Sequence, residues 1–168
     1  MTCNGTTLQP FGDEHVARTF EWVIDPWLQK TFLMRRQPTW ETHQAYFDRV
    51  LSDPSQSIYA ILDHGVHVGN CGIKNIRADS RSGEIWIYIG ADERKGKHVG
   101  TRATQLLCRE AFDVRGLTSV CVHVADFNQV AQKMYEKLGF VTPSLEGAAA
   151  PEWQGRSCSV RYMELRRP

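Results

Sequence analysis

The stretch Arg94-Lys95-Gly96-Lys97-His98-Val99-Gly100-Thr101 sets cations and glycines directly ahead of an apolar pattern with helical spacing. A basic, glycine-bearing loop that opens a helix gathers unpaired backbone amides and the positive helix end at one point. Such a loop is an anion cradle, well suited to a pyrophosphate. It is not a Walker loop. The nearest glycine before Gly96-Lys97 is Gly90, one residue too far, and His98 stands where serine or threonine is required. It does not read G-x-G-x-x-G either, which disfavours a dinucleotide fold. Arg35 and Arg36 are a second candidate anion site, because guanidinium forks match the oxygens of a diphosphate, although such a pair is more often plain wet surface. His43 is a candidate acceptor contact or base, but a histidine on a helix surface is usually neither. His64 and His67 fall at an expected hairpin without metal-ligand spacing. The five cysteines, Cys3, Cys71, Cys108, Cys121 and Cys158, form no C-x-x-C pair and read as reduced thiols packed as small core residues. No metal is expected.

The elements that must hold these residues are legible in the hydrophobic periodicity. An extended piece over Thr6–Phe11 precedes a helix from Asp13, its expected cap, to about Trp22. Asp25–Pro38 mixes aromatics and cations between two prolines and predicts a surface loop or broken helix. A second helix follows Thr39 as cap, carries Tyr46, Phe47, Val50 and Leu51 on one stripe, and stops at Asp53-Pro54. From Ser57 the period becomes two, and Ser57–Leu62, Val66–Ile76 and Glu84–Ile89 predict an antiparallel meander. Helix and strand then alternate, which argues for mixed or parallel pairing. A helix runs from Val99 to Val114 with Gly116 as its stop, followed by a buried strand over Val120, Val122 and Val124. Asn128 caps the next helix, whose stripe is Ala131, Met134, Tyr135 and Leu138, and Gly139 supplies its left-handed stop. Phe140-Val141 predicts a strand start, Ser144–Gly155 a loop and Cys158–Leu165 a last strand.

With 168 residues, 42% of them hydrophobic, the chain reads as a single domain over 1–168 with an ordinary core. The net charge of +1 provides no field toward nucleic acid or an anionic membrane, so neither is an expected partner. Apolar runs such as Ile58–Leu62 are far short of the roughly 20 residues a membrane span needs, and a cytoplasmic location is expected.

Taken together, Lys95-Gly96-Lys97-His98-Val99-Gly100-Thr101 after a strand and, further on, Asn128-Gln129-Val130-Ala131-Gln132-Lys133-Met134-Tyr135-Glu136-Lys137-Leu138-Gly139-Phe140 resemble the GCN5-related N-acetyltransferases (GNAT). That family's loop usually reads Gln or Arg, two residues, Gly, one residue, then Gly or Ala. Here Lys95 and His98 occupy the first two defined places and Gly100 the third. The resemblance implies an α/β GNAT fold, a mixed, mostly antiparallel sheet of about seven strands with about four flanking helices. It also implies acetyl-CoA as co-substrate and direct attack of an amine on the thioester, without an acyl-enzyme.

Residue by residue, it implies that backbone groups of Ile87, Tyr88 and Ile89 hold the pantetheine arm. Lys95, Gly96, Lys97, His98, Val99, Gly100 and Thr101 then cradle the pyrophosphate, and Asn128 contacts the cofactor. Tyr135 matches the family tyrosine near sulfur. Glu84, on one strand face with Trp86 and Tyr88, is the candidate base, directly or through water. Glu21-Trp22, Asp25-Pro26, His43-Gln44, Phe47 and Asp53-Pro54-Ser55 look like the branch that acetylates nucleotide-linked amino sugars. On that reading Arg35, Arg36, His43 and Trp86 meet the acceptor. Alternative acceptors are a polyamine, an aminoglycoside-like compound or a protein N-terminus. A second class, a non-catalytic acyl-CoA-binding module, is favoured only by His98. A homodimer paired through the last strands is a further expectation.

Overall fold

A computed structural model describes residues 2–32, 34, 36–143 and 160–167. The strands are β1 (Thr2–Cys3), β2 (Thr6–Pro10), β3 (Ser57–Asp63), β4 (Val66–Arg77), β5 (Ser82–Ile89), β6 (Ser119–Ala125) and β7 (Val160–Arg166). The helices are α1 (Asp13–Val23), α2 (Pro26–Thr31), α3 (Trp40–Leu51), α4 (Val99–Arg109) and α5 (Gln129–Lys137). All seven strands form one sheet in chain order, antiparallel at every seam except β5–β6, which is parallel. The parallel seam follows from α4, which carries the chain back across one face between the two strands.

Register sorts the side chains into two layers. Lys74 opposite Glu84, Gly72 opposite Trp86 and Asn70 opposite Tyr88 place those residues on one face of the sheet. That face is covered by a core of Phe11, Val16, Phe47, Val50, Ile58 and Ala60, drawn partly from α1 and α3. On the other face Cys71, Ile73, Ile85, Val120, Val122 and Val124 pack with Ala103, Leu107 and Ala111 and with Tyr135 of α5. Gly72 is needed where β4 crosses under Trp86, because a Cβ there would lie 2.8 Å from the indole.

Several local expectations are corrected. The N-cap of α1 is Gly12, not Asp13, and its amide donates to Nδ1 of His15 at 3.0 Å. Asp13 instead sits in the first turn, where its charge suits the helix dipole. Of the two readings for Asp25–Pro38, loop or broken helix, the second holds over Pro26–Thr31, where α2 forms with the Asp25 carboxylate accepting from Leu28 N at 3.0 Å. With it the described α-helices number five, in keeping with the seven-stranded GNAT fold expected. The long helix from Val99 is α-helical only to Arg109 and ends in a π turn, Glu110–Val114, where Arg115 N donates to Glu110 O at 3.0 Å. Val141 makes an isolated bridge to Glu164 and Phe140 is in no strand. The expected loop Ser144–Gly155 and the start of the last strand at Cys158 lie outside the described residues.

Candidate active site

β5 and β6 pair over three registers only, Ser82 with Ser119, Gly83 with Val120 and Glu84 with Cys121. Beyond Glu84 the strands part, while β5 stays paired to β4 as far as Ile89. Among the described residues, the β5 edge from Ile85 onward therefore offers backbone groups with no strand beside them. An extended amide-bearing chain is the natural occupant of such an edge. The gap opens as a cleft lined from one face of the sheet by Lys74, Glu84, Trp86 and His123, and from the other by Ile85, Ile87, Val122, Val124 and Tyr135. It is a window through the sheet.

Past the far end of β5, the chain turns through a 3-10 turn, Asp92–Arg94, into the basic loop and α4. Gly96 (φ 74°) and His98 (φ 60°) both adopt left-handed backbone, so His98 takes a conformation that glycine enters more easily. The loop is fastened from beneath. Asp63, at the end of β3, has a side chain 4% exposed and takes Arg94 Nη1 at 3.0 Å and Arg102 Nη2 at 3.4 Å. Arg102 also donates to the Lys97 carbonyl at 3.1 Å and, through Nε, to Thr6 Oγ1 at 2.8 Å. Two guanidinium groups thus bracket the loop, and the amides that open α4 are left for an anion.

Inside the cleft Glu84 accepts from three donors: Lys74 Nζ at 3.1 Å, Asn75 Nδ2 at 3.0 Å and His123 Nδ1 at 3.1 Å. Burial pushes its carboxyl pKa up, but the His123 hydrogen bond and the Lys74 charge outweigh burial and hold it below the ordinary value. Tyr135 is 3% exposed and its ring meets Phe140 at 5.1 Å. Its hydroxyl has no hydrogen-bond partner among the described residues, and burial pushes its pKa well up, so the phenol stays protonated. Asn128 lines the cleft while its Oδ1 caps α5, accepting from Ala131 N at 3.2 Å. Phe32, which ends α2, faces Trp86 at 6.4 Å and Tyr88 at 5.5 Å, giving the acceptor side an aromatic wall.

The sequence profile of the acetyltransferase (GNAT) domain matches residues 6–141. The chain belongs to the GNAT family. Its acetyl donor is accordingly acetyl-CoA, and the chain presents an open strand edge, an amide-bearing basic loop and a buried phenol around one cleft. Among solved structures, the GNAT fold here is similar to a Vibrio cholerae spermidine N-acetyltransferase in complex with CoA and spermine. That match has a TM-score of 0.85 at 21% identity and covers 96% of this chain and 95% of that one. A domain from Methanocaldococcus jannaschii matches with TM-score 0.77 at 20% identity, covering 96% and 98%. A dodecameric form of the Vibrio cholerae enzyme matches with TM-score 0.74 at 21% identity, covering 96% and 94%. No curated protein sequence matches the chain.

Of the expected GNAT site residues, Glu84, Trp86, Ile87, Asn128 and Tyr135 meet in the cleft. Tyr88 does not line it; its hydroxyl accepts from Asn70 Nδ2 at 2.7 Å in a network with Thr19. His43 is not brought there either. It is 5% exposed, with Nε2 at 3.0 Å from the Val16 carbonyl and its ring between Phe20 and Phe47. Burial lowers its pKa, and it joins α3 to α1 rather than meeting an acceptor. Arg36 is exposed outside the cleft lining, and Arg35 lies outside the described residues. Sequence reading missed Lys74 and His123, which reach Glu84 from the strands on either side. It also missed Asp63 and Arg102 beneath the loop. The available signal was His123 alternating against Val122 and Val124, a polar position on a strand with one buried apolar face.

Proposed function

We propose that this chain acetylates a primary amine of a small molecule by direct attack on acetyl-CoA within the window between β5 and β6. The observation that carries the reading is that one opening joins Glu84, Trp86 and His123 on one face of the sheet to Tyr135 on the other. The amine arrives from the α1/α3 face. The thioester lies along the β5 edge, where a strand amide stabilises the developing oxyanion. The departing sulfur meets the Tyr135 hydroxyl, the one buried polar group there without a competing partner among the described residues. Asp63, through Arg94 and Arg102, holds the loop that takes the pyrophosphate.

For the acceptor, likeness to spermidine N-acetyltransferases puts polyamines first. A nucleotide-linked amino sugar stands second, favoured by the sequence from Pro26 to Trp40, which carries Lys30, Arg35 and Arg36 and no carboxylate. A cytoplasmic location is part of the proposal and is supported by Cys3, Cys71, Cys108 and Cys121, all free thiols.

The test is thiol release from acetyl-CoA across an amine panel headed by spermidine and spermine, followed by UDP- and dTDP-linked amino sugars. Turnover with a polyamine supports the first acceptor and turnover with only the sugar nucleotides the second. Calorimetric binding of acetyl-CoA with no thiol release on any amine would refute catalysis and leave an acyl-CoA-binding module.

A further inference from the structure

Glu84 is poorly placed to take a proton itself. Oε1 already accepts from Lys74 Nζ and His123 Nδ1, and Oε2 accepts from Asn75 Nδ2. Its partners all stabilise the ionised form, which makes it a weaker base than an ordinary carboxylate. His123 is set differently. It shares the cleft face with Glu84, because Glu84 pairs with Cys121 and His123 is the next residue on that side of β6. A carboxylate only accepts, so the hydrogen of this pair sits on Nδ1, and proton exchange falls to Nε2. Tyr162 of β7 lies edge-on to the imidazole at 5.4 Å and fixes the ring plane. Imidazole, with a reference pKa of about 6.5, is also nearer to an amine than a carboxylate at about 4.3.

We infer that His123 is the catalytic base of the amine transfer, and that Glu84 is a positioning residue that holds the imidazole tautomer and stabilises its cation. The inference rests on the proposed acetyl transfer. In the step, an acceptor R–NH3+ gives one proton to Nε2 of the neutral imidazole. The freed amine lone pair forms the C–N bond at the thioester carbonyl as the C–S bond breaks. The second N–H proton ends on sulfur, with the Tyr135 hydroxyl in reach as relay, yielding CoA thiol and the amide. The imidazolium returns its proton to water when the products leave.

Among the described residues, the charged and titratable groups facing His123 are Lys74 from β4, Glu84 from β5, Cys121 of its own strand, and Tyr162 and Glu164 from β7. Among them Glu84 favours the imidazolium and Lys74 opposes it. Replacing Glu84 by glutamine removes the acceptor-only partner of Nδ1 and should let the Nε2–H tautomer appear, which a merely structural role would not do.

The test compares wild type with H123Q, H123N and E84Q. Thermal melts and acetyl-CoA calorimetry verify folding, and thiol release with the best amine of the panel gives kcat and KM against pH. Histidine 15N spectra, with His123 assigned by its loss in H123Q, report the tautomer independently of turnover. The expected result is the Nδ1–H tautomer in wild type and a kcat loss of roughly 10²–10⁴-fold in both His123 variants. Acetyl-CoA affinity should stay within about threefold, and the acidic limb should disappear from the His123 variants. A His123 variant whose kcat and acidic limb match wild type, or a His123 protonated at Nε2 alone, would overturn the assignment. Acetyl-CoA binding by wild type without turnover on any amine would instead refute the acetyl transfer on which it rests.

Discussion

Asp63 lies on a different strand from every residue expected to touch the cofactor, yet the geometry makes its removal one of the most informative perturbations. In Asp63→Ala, Arg94 and Arg102 lose a carboxylate at 3.0 and 3.4 Å that is 4% exposed. Breaking a buried pair from one side costs about 3–5 kcal/mol. The arginine side chains are 30% and 19% exposed, so solvent screens part of the loss, and about 3 kcal/mol is the working figure. For 168 residues the unfolding entropy is roughly 0.35 kcal/mol/K, which converts this to a Tm drop of about 8 °C. The loop also loses the ion pair that holds it before ligand arrives. Fixing one extra backbone residue at binding costs about 1–2 kcal/mol, so acetyl-CoA affinity should fall about 5- to 30-fold. At saturating cofactor kcat should hold, since Glu84, His123 and Tyr135 are untouched. Differential scanning fluorimetry and calorimetry read both quantities, and Asp63→Asn should fall between the two. Melting within about 2 °C of wild type with unchanged acetyl-CoA affinity would refute the idea that this ion pair shapes the cradle.

Other expectations test separate parts of the reasoning. Tyr135→Phe should lower kcat at least tenfold with acetyl-CoA affinity unchanged. Because burial raises the phenol pKa, wild-type activity should show no basic limb from Tyr135 up to about pH 9.5, below even the unperturbed value. His98→Gly relieves the left-handed strain but adds unfolded-state entropy, and should raise Tm by about 1–3 °C without weakening acetyl-CoA binding. The pKa values of His43 and His67 are lowered by burial, so the unfolded chain binds their protons more tightly than the fold does. Their contribution is complete above about pH 6.5 and is lost as pH falls toward the folded values. Urea midpoints measured from pH 7.5 to 5 should decline, and the decline should shrink in His43→Gln; a flat midpoint for wild type contradicts the burial argument.

Much of this organisation was legible from periodicity alone. The meander, the parallel crossover and the Thr39 and Asn128 caps follow from local patterns, because each depends on residues a few positions apart. What stayed hidden depends on register between distant strands. That Lys74 and His123 converge on Glu84 from opposite sides is a fact of pairing, and nothing within any one strand encodes it. The Asp63 anchor spans separations of 31 and 39 residues for the same reason. His43 misled because an amphipathic helix does not itself reveal where its apolar stripe ends, and Phe20 and Phe47 enclose the ring. The short α2 was obscured by its mixed composition, although Asp25-Pro26 is a good helix start.

The three-pair seam between β5 and β6 bears on more than access to the thioester. β6 and β7 are joined to each other by seven registered pairs but to the remaining strands by three. The sheet is therefore a five-stranded platform and a two-stranded flap, hinged at one end. A pantetheine arm laid along β5 would act as a missing rung between them, so cofactor capture and completion of the sheet are one thermodynamic event. At about 100 times Kd such linkage is worth about 2.7 kcal/mol of global stability. Its local signature should be stronger: slowed amide exchange along β6 and β7, reaching residues such as Met163 and Leu165 that do not line the cleft.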